Sequence, residues 1–253
     1  MSSKLSAVII TLNEERNIGR CLESLQGVAD EIIVVDCGST DRTEEICNRF
    51  QVKFIKQDWL GFGAQKNLGA SHATYNYILS IDADEALSDT LKKSILTAKE
   101  QGFPAIGYAM NILPNYCGHW VKHCGWYPGR KNRIYDQTQI KWSADPVHER
   151  LMFQPSSKIE FLKGDLLHYS YYTLEDHWKK TERYTQLFIE TRIKQGKSPN
   201  IARAVASAFV AFLNIYIFHL GFLDGVAGFN ITRFAIIGKY RKYRMKWVNT
   251  HER

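Results

Sequence analysis

YILSIDADEAL, residues 77–87, is the stretch on which the fold turns. Tyr77, Ile78, Leu79 and Ile81 make a short apolar run, and Asp82, Asp84 and Glu85 follow without a break. An apolar run with little alternation suits a strand covered on both faces. Carboxylates this close repel one another, so a cation is expected to share them. Two of them at a strand end can hold one divalent ion, or divide into a metal ligand and an acceptor for a ribose hydroxyl. Mg²⁺ or Mn²⁺ held this way takes its other ligands from water and phosphate. Taken alone, Asp-Ala-Asp-Glu would serve as well to cap the helix predicted over 88–101.

The flanking sequence favours the ligand reading. Strands are predicted at SAVIIT (6–11), EIIVVD (31–36) and 52–55, and helices at 14–25, 41–50 and 64–71. Apolar strands alternating with helices imply a mostly parallel sheet with helices on both faces. Ligands of such sheets bind beyond the carboxyl ends of the strands. Here those ends are Thr11-Leu12-Asn13-Glu14, Asp36-Cys37-Gly38-Ser39 and Asp82-Ala83-Asp84, all polar. The first hundred residues therefore read as a nucleotide crevice.

Composition bounds the rest. The chain has 253 residues, 45% hydrophobic and 23% charged, enough for one large domain with an appendage. A formal charge of +7 points to an anionic partner. Nucleic acid is disfavoured, because the basic residues concentrate near the C-terminus among large aromatics, with no binding motif. Five scattered cysteines form no disulfide framework and suit a reducing, cytoplasmic setting. MSSKLSAVII has no export-signal pattern.

SAVIITLNEERNIGRCLESL, EIIVVDCGSTDRT, AQKNLGA and SIDADE, in this order and spacing, resemble the family 2 glycosyltransferases of GT-A fold. The resemblance covers roughly the first ninety residues. It implies an enzyme that moves a sugar from a nucleoside diphosphate with inversion, using Mn²⁺ or Mg²⁺. Carried onto this sequence, Thr11, Asn13, Glu14 and Ser39 line the nucleoside pocket, and Asp36 accepts from a uracil ring. Asp82 faces ribose and diphosphate, Asp84 holds the metal, and Lys66 pairs with phosphate. Asn13 and Ser39 also suit helix caps, and Lys66 a solvated helix.

WYPGRKNRIYD (126–136) and ADPVHERL (144–151) resemble the subgroup that adds glucose or a similar hexose to lipopolysaccharide core. Inversion needs a base on the face opposite the leaving diphosphate. Glu149 is the first choice and Asp145 the second, against either one merely pairing with Arg150 or Arg130. Arg130, Lys131 and Arg133 either meet a diphosphate or form a solvated strand edge. The resemblance also implies His168 as a metal ligand, against a plain core histidine. Cys117, His119, His123 and Cys124 suggest zinc, but lack the paired halves of a structural site. An acceptor loop with Trp120 and Trp126 is the preferred reading there.

A helix is predicted over 177–194. Residues 202–229 are strongly apolar but interrupted by Asn214, His219 and Asp224, and a basic run GKYRKYRMK follows. The uninterrupted part falls short of the ~20 residues that span a bilayer. An interfacial helix on anionic lipid fits this pattern, and so does a hairpin that packs on the enzyme or pairs two copies. The organisation expected is a catalytic domain over 1–195, with a nucleotide-sugar half (1–105) and an acceptor half (106–195). A helical basic segment over 196–253 follows. The function expected is transfer of a hexose, taken as glucose, from a UDP-sugar to lipopolysaccharide core or a related saccharide or lipid-linked glycan. The enzyme would be cytoplasmic and peripheral on the inner face of the cytoplasmic membrane. The rivals are a polyprenyl-phosphate hexosyltransferase and, from another class, a nucleotidyltransferase.

Overall fold

A computed structural model describes residues 3–145 and 149–244; Pro146–His148 of the ADPVHERL motif and Met245–Lys246 of the basic run lie outside the described residues. The chain divides into two compact units, Met1–Ile112 with Gly129–Tyr169, and Leu113–Pro128 with Ser170–Arg253. The boundary expected at 195 thus falls at 169–170, and residues 113–128 cross over to the second unit.

The first unit opens with β1 (Leu5–Thr11), α1 (Ile18–Leu25), β2 (Glu31–Asp36), α2 (Thr43–Cys47) and β3 (Lys53–Lys56). It continues with α3 (Phe62–Ser71), β4 (Tyr77–Asp82), β5 (Glu85–Leu87), α4 (Asp89–Glu100) and the start of β6 (Gly107–Tyr116). After β7 (His119–Trp120) come β8 (Gly129–Asp136) and β9 (Ile159–Tyr171). The sheet order is β3-β2-β1-β4-β8-β6-β9-β5. Strands β1 to β4 are parallel; β8 runs antiparallel to β4 and to β6, and β5 to β9. The register sets Thr11 beside Asp36 and Ile10 beside Asp82, so three polar strand ends share one edge.

β1 shows why the apolar runs are continuous. Leu5, Ala7 and Ile9 pack with Ile18, Leu22 and Leu25 of α1 and with Leu91 and Ile95 of α4. Val8, on the other face, packs with Ile33, Val35, Ile78, Tyr135 and Trp142. Both faces are dry, and each fully buried Leu or Ile contributes about 1.5–3 kcal/mol of transfer free energy. α3 is pressed into this layer through glycine: a Cβ on Gly69 would lie 2.4 Å from Val8 Cγ1. The helix expected from Glu14 starts only at Ile18, because Asn13 sits at φ 54° and sends the chain through a turn first.

The second unit is built on α5 (Leu174–Lys194), α6 (Ile201–Phe212) and α7 (Gly225–Arg244). Thr173 and Asp176 form a capping box that starts α5 three residues earlier than expected. α6 runs on through a π-helical turn, Leu213–Phe218, and Leu220 at φ 52° reverses the chain. Ile201–Phe218 is 18 residues, long and apolar enough to cross a membrane by length and composition. Tyr116, Val121 and Cys124 pack with Ala227 and Ile231 of α7. His177 is buried, with Nδ1 2.9 Å from Tyr116 Oη, and its ring packs on Tyr171 and Phe234. Burial, helped by Lys180, pushes its pKa down to about 4.

Candidate active site

The strand-end loops are tied together by side chains. Asn13 N–H donates to Ser39 Oγ at 2.8 Å, and Thr40 N–H donates to Asn13 Oδ1 at 2.8 Å. Glu14 N–H donates to Thr43 Oγ1. Asp36 Oδ2 accepts from the N–H groups of Gly38 and Ser39, and Oδ1 from the Ser39 hydroxyl. Asp36 is therefore committed to its own loop, while the buried Thr11 hydroxyl has no hydrogen-bond partner among the described residues. Burial pushes the Glu14 carboxyl up, with Asp84, Asp41 and Asp82 adding to the effect.

Next to these loops lies a network of buried charge. Lys66 Nζ is 3.3 Å from Asp82 Oδ1 and 3.3 Å from Glu149 Oε1, under the Trp142 ring at 4.5 Å. Arg133, also buried, donates to Asp82 Oδ2 at 2.8 Å and to Glu85 Oε1. Burial would raise the Asp82 carboxyl, but Arg133 and then Lys66 hold it well below the usual carboxylate range. For Glu85 burial wins over Arg133 and, with the Asp82 charge, pushes the carboxyl up. Glu85 Oε2 also accepts the Asp82 N–H at 2.9 Å.

Glu149 reaches this network because of how its segment sits on α3. Asn67 Nδ2 donates to Trp142 O and Asn67 Oδ1 accepts the Trp142 N–H, both at 3.0 Å. Ser143 pairs with Arg150, and Trp142 bridges Leu151. The approach is so close that a Cβ on Gly63 would fall 2.0 Å from Ser143 O. Lys66, Asp82, Glu85, Arg130, Trp142, Glu149 and His168 line one cavity of about 440 Å³. Arg130 stands at 4.8 Å over the Phe161 ring.

Asp84 lies in the turn between β4 and β5, and its Oδ2 is 3.1 Å from His168 Nε2 on β9. Burial lowers the His168 pKa, but the hydrogen bond and charge of Asp84 outweigh it and raise the imidazole. The separation fits neighbouring ligands on an octahedral ion, about 3 Å apart when each lies about 2.1 Å from the metal. Among the described residues no three His, Cys, Asp or Glu side chains group to hold a metal by themselves. A metal here would take two protein ligands and complete its shell from phosphate and water.

The structure thus brings Lys66, Asp82, Arg130, Glu149 and His168 to one cavity, and pairs Asp84 with His168. Thr11, Asn13, Glu14, Asp36 and Ser39 sit at the ends of β1 and β2, outside that lining. Asp145 is not brought in: its Oδ2 accepts from Ser143 Oγ at 2.8 Å, and the residue is exposed. Lys66 meets two carboxylates in place of solvent, and Arg133 is an internal clamp. Glu85 was grouped with the carboxylates awaiting a cation but given no role at the site, and Trp142 was not expected there. The signal for Glu85 was its adjacency to Asp84, and for Trp142 an aromatic just before the ADPVHERL segment. Among the described residues no three metal-ligating side chains group at the Cys117–Cys124 loop; the loop grips Asp224, which accepts from the His123 N–H at 2.9 Å and lies 3.0 Å from His123 Nδ1.

Residues 6–157 match the model of the family described as Glycosyl transferase family 2. An uncharacterized glycosyltransferase of Rickettsia typhi is 29% identical over 97% of this chain and 89% of its own length. The lipopolysaccharide core biosynthesis glycosyltransferase LpsC of Rhizobium meliloti is 26% identical, over 89% of this chain and 85% of its own. Among solved structures, S. aureus TarS 1–349 in complex with UDP aligns over 95% of this chain and 89% of that one, at 16% identity and a TM-score of 0.46. The chain belongs to glycosyl transferase family 2: it is a glycosyltransferase of GT-A fold with a C-terminal helical segment. The nucleotidyltransferase alternative falls with that assignment.

Proposed function

We propose that this glycosyltransferase moves a hexose, taken as glucose, from a UDP-sugar to a lipopolysaccharide-core or related envelope glycan, with inversion. One observation carries the reading. Glu149, a carboxylate from outside the nucleotide-binding half, shares a single lysine with Asp82 of the strand-end motif. A base candidate and a donor-side carboxylate are thereby held on one cavity wall. The likeness to LpsC supports the acceptor class.

In the step proposed, the acceptor oxygen bonds to the anomeric carbon from the face opposite the diphosphate. Its proton passes to Glu149, and the carbon–oxygen bond to the diphosphate breaks, the pair leaving with that oxygen. Lys66 orients Glu149, and Arg133 keeps Asp82 ionised and fixed. Arg130 would meet the donor phosphates. Asp84 and His168 would hold Mn²⁺ or Mg²⁺, whose charge neutralises the leaving diphosphate. The strand-end residues Thr11, Asn13, Glu14, Asp36 and Ser39 would form the nucleoside pocket. Work on such acceptors suits a protein peripheral on the inner face of the cytoplasmic membrane, with the C-terminal helices meeting lipid and not pairing two copies.

Glu149→Gln tests the base. Turnover should fall by ~10²–10⁴-fold while the Kd for the UDP-sugar stays within about twofold. Near-normal turnover would move the base elsewhere. Assaying lipopolysaccharide core against polyprenyl phosphate as acceptors separates this reading from the polyprenyl-phosphate one.

A further inference from the structure

The second unit carries a helix turned inside out. α6 packs inward through small residues, with Ala204 and Ala211 buried, and presents its large apolar side chains outward. Val205, Phe209 and Val210 are 55%, 59% and 62% exposed. A water-soluble helix buries the large residues and exposes polar ones. Small residues inside and large apolar ones outside is the pattern of helices packed in lipid. The reversal past Leu220 repeats it: a Cβ on Gly228 would fall 1.8 Å from Gly221 O, while Phe222, Val226 and Phe229 are exposed.

Charge says what covers this face. Residues 191–244 contain nine Lys and Arg and a single acid, Asp224. Asp224 is buried and held by the 119–124 loop, so no carboxylate faces outward from that stretch. Asn200 N–H donates to Tyr243 O, and Arg203 stands over the Tyr243 ring at 4.6 Å. That contact gathers Arg203, Lys239, Lys242 and Arg244 at one end of the hairpin. The same stretch of a second copy would bring only more cations, whereas an anionic bilayer brings the opposite charge and an apolar interior.

The hairpin is also held at both ends by elements that belong in water. Its turn is fastened to the 119–124 loop through Asp224, and Cys124 N–H donates to His219 O. α7 lies on the charged helix α5, with Phe234 against His177 and Trp178 and Arg241 paired to Glu182. A helix anchored at both ends in this way lies along a membrane and does not cross it.

We propose that α6 and the turn after it dock lengthwise into one leaflet of an anionic bilayer, with the cationic end at the lipid phosphates. This deepens the peripheral reading above and assigns its surface. Full-length protein should sediment with phosphatidylcholine vesicles that contain phosphatidylglycerol, and much less with pure phosphatidylcholine or at high salt. Phe209→Asp and Val226→Asp, both at exposed positions, should each weaken vesicle binding by at least about tenfold. Their thermal unfolding and UDP-sugar affinity should match the parent chain. If the parent chain ignores acidic vesicles, the proposal is overturned. It is overturned too if the protein runs as a dimer that Phe209→Asp splits, since a second copy then covers the face. Cleavage of externally added protein by chymotrypsin enclosed in the vesicles would mean a crossing helix, and would also overturn it. Vesicle binding without any UDP-sugar binding would instead count against the donor reading and leave this one standing.

Discussion

Arg133→Met tests the buried network. Arg133 holds Asp82 and Glu85 together from a position closed to water, and the two carboxylates differ in what they have left without it. Asp82 keeps Lys66 at 3.3 Å, whereas Glu85 keeps the Asp82 N–H and the attraction of His168 but no lysine or arginine among the described residues. Removing one partner of a buried pair costs about 3–5 kcal/mol. At about 2–4 °C per kcal/mol for a chain of this size, Tm should drop by roughly 10 °C. Glu85 can escape by taking a proton. Its carboxyl already sits above the model-compound value of 4.5 when folded, and losing Arg133 raises it further. A carboxyl whose folded pKa exceeds its unfolded one binds protons better in the folded state, so the variant regains stability as pH falls through that folded value. The deficit against the parent chain, read by urea unfolding, should be largest near about pH 8 and shrink toward about pH 5. Glu85→Gln in the Arg133→Met background should restore at least about 2 kcal/mol near pH 8. A deficit that is flat with pH, or a double variant no more stable than the single one, refutes the reasoning.

Gly63→Ala forces a methyl to within 2.0 Å of Ser143 O and should lift the segment carrying Glu149 off α3. Turnover should then fall by more than about tenfold with a smaller loss of Tm, whereas Gly69→Ala, which strains the core at Val8, should cost about 1–3 kcal/mol of stability. Asp84→Asn should erase the Mn²⁺-dependent part of the thermal shift produced by UDP, and His168→Ala should weaken Mn²⁺ by ~10- to 100-fold; metal dependence unchanged in both would remove the assignment. His177, pushed down to about 4 when folded, should make the second unit lose stability as pH falls from about 6.5 toward 4, by at most ~3 kcal/mol. Urea titrations of the parent chain and His177→Gln check this, the variant losing that slope.

The parallel part of the sheet was legible because β1, β2 and β4 are buried on both faces, and nothing but a continuous apolar run satisfies that. β5 was hidden: Glu85-Ala86-Leu87 is short, begins with a charge and follows acids that suit a helix cap. Arg133 was read within a basic run that would either meet a diphosphate or form a solvated edge, and neither reading has it inside. Its place beside Ile134 and Tyr135, both buried, was the available sign that it needed a partner inside. The role of His123 could not be read locally, because its partner Asp224 is a hundred residues away. Asn214, His219 and Asp224, taken as interruptions of one apolar stretch, surround the place where the chain reverses. Lys66 was placed beside phosphate by resemblance, while its pairing with Glu149 depends on how residues 142–151 lie on α3.

The crossing of residues 113–128 into the second unit has a consequence for the order of synthesis. When the ribosome has made the first 170 residues, the first unit has every strand it needs. The strap between β6 and β8 does not: Tyr116, Val121 and Cys124 still await Ala227 and Ile231. The amides of the 122–123 loop likewise still await Asp224. The nascent chain therefore carries an open apolar strap through the synthesis of about sixty further residues. Neither unit can be cut free, exchanged or expressed as one continuous piece, because each is threaded through the other's sequence.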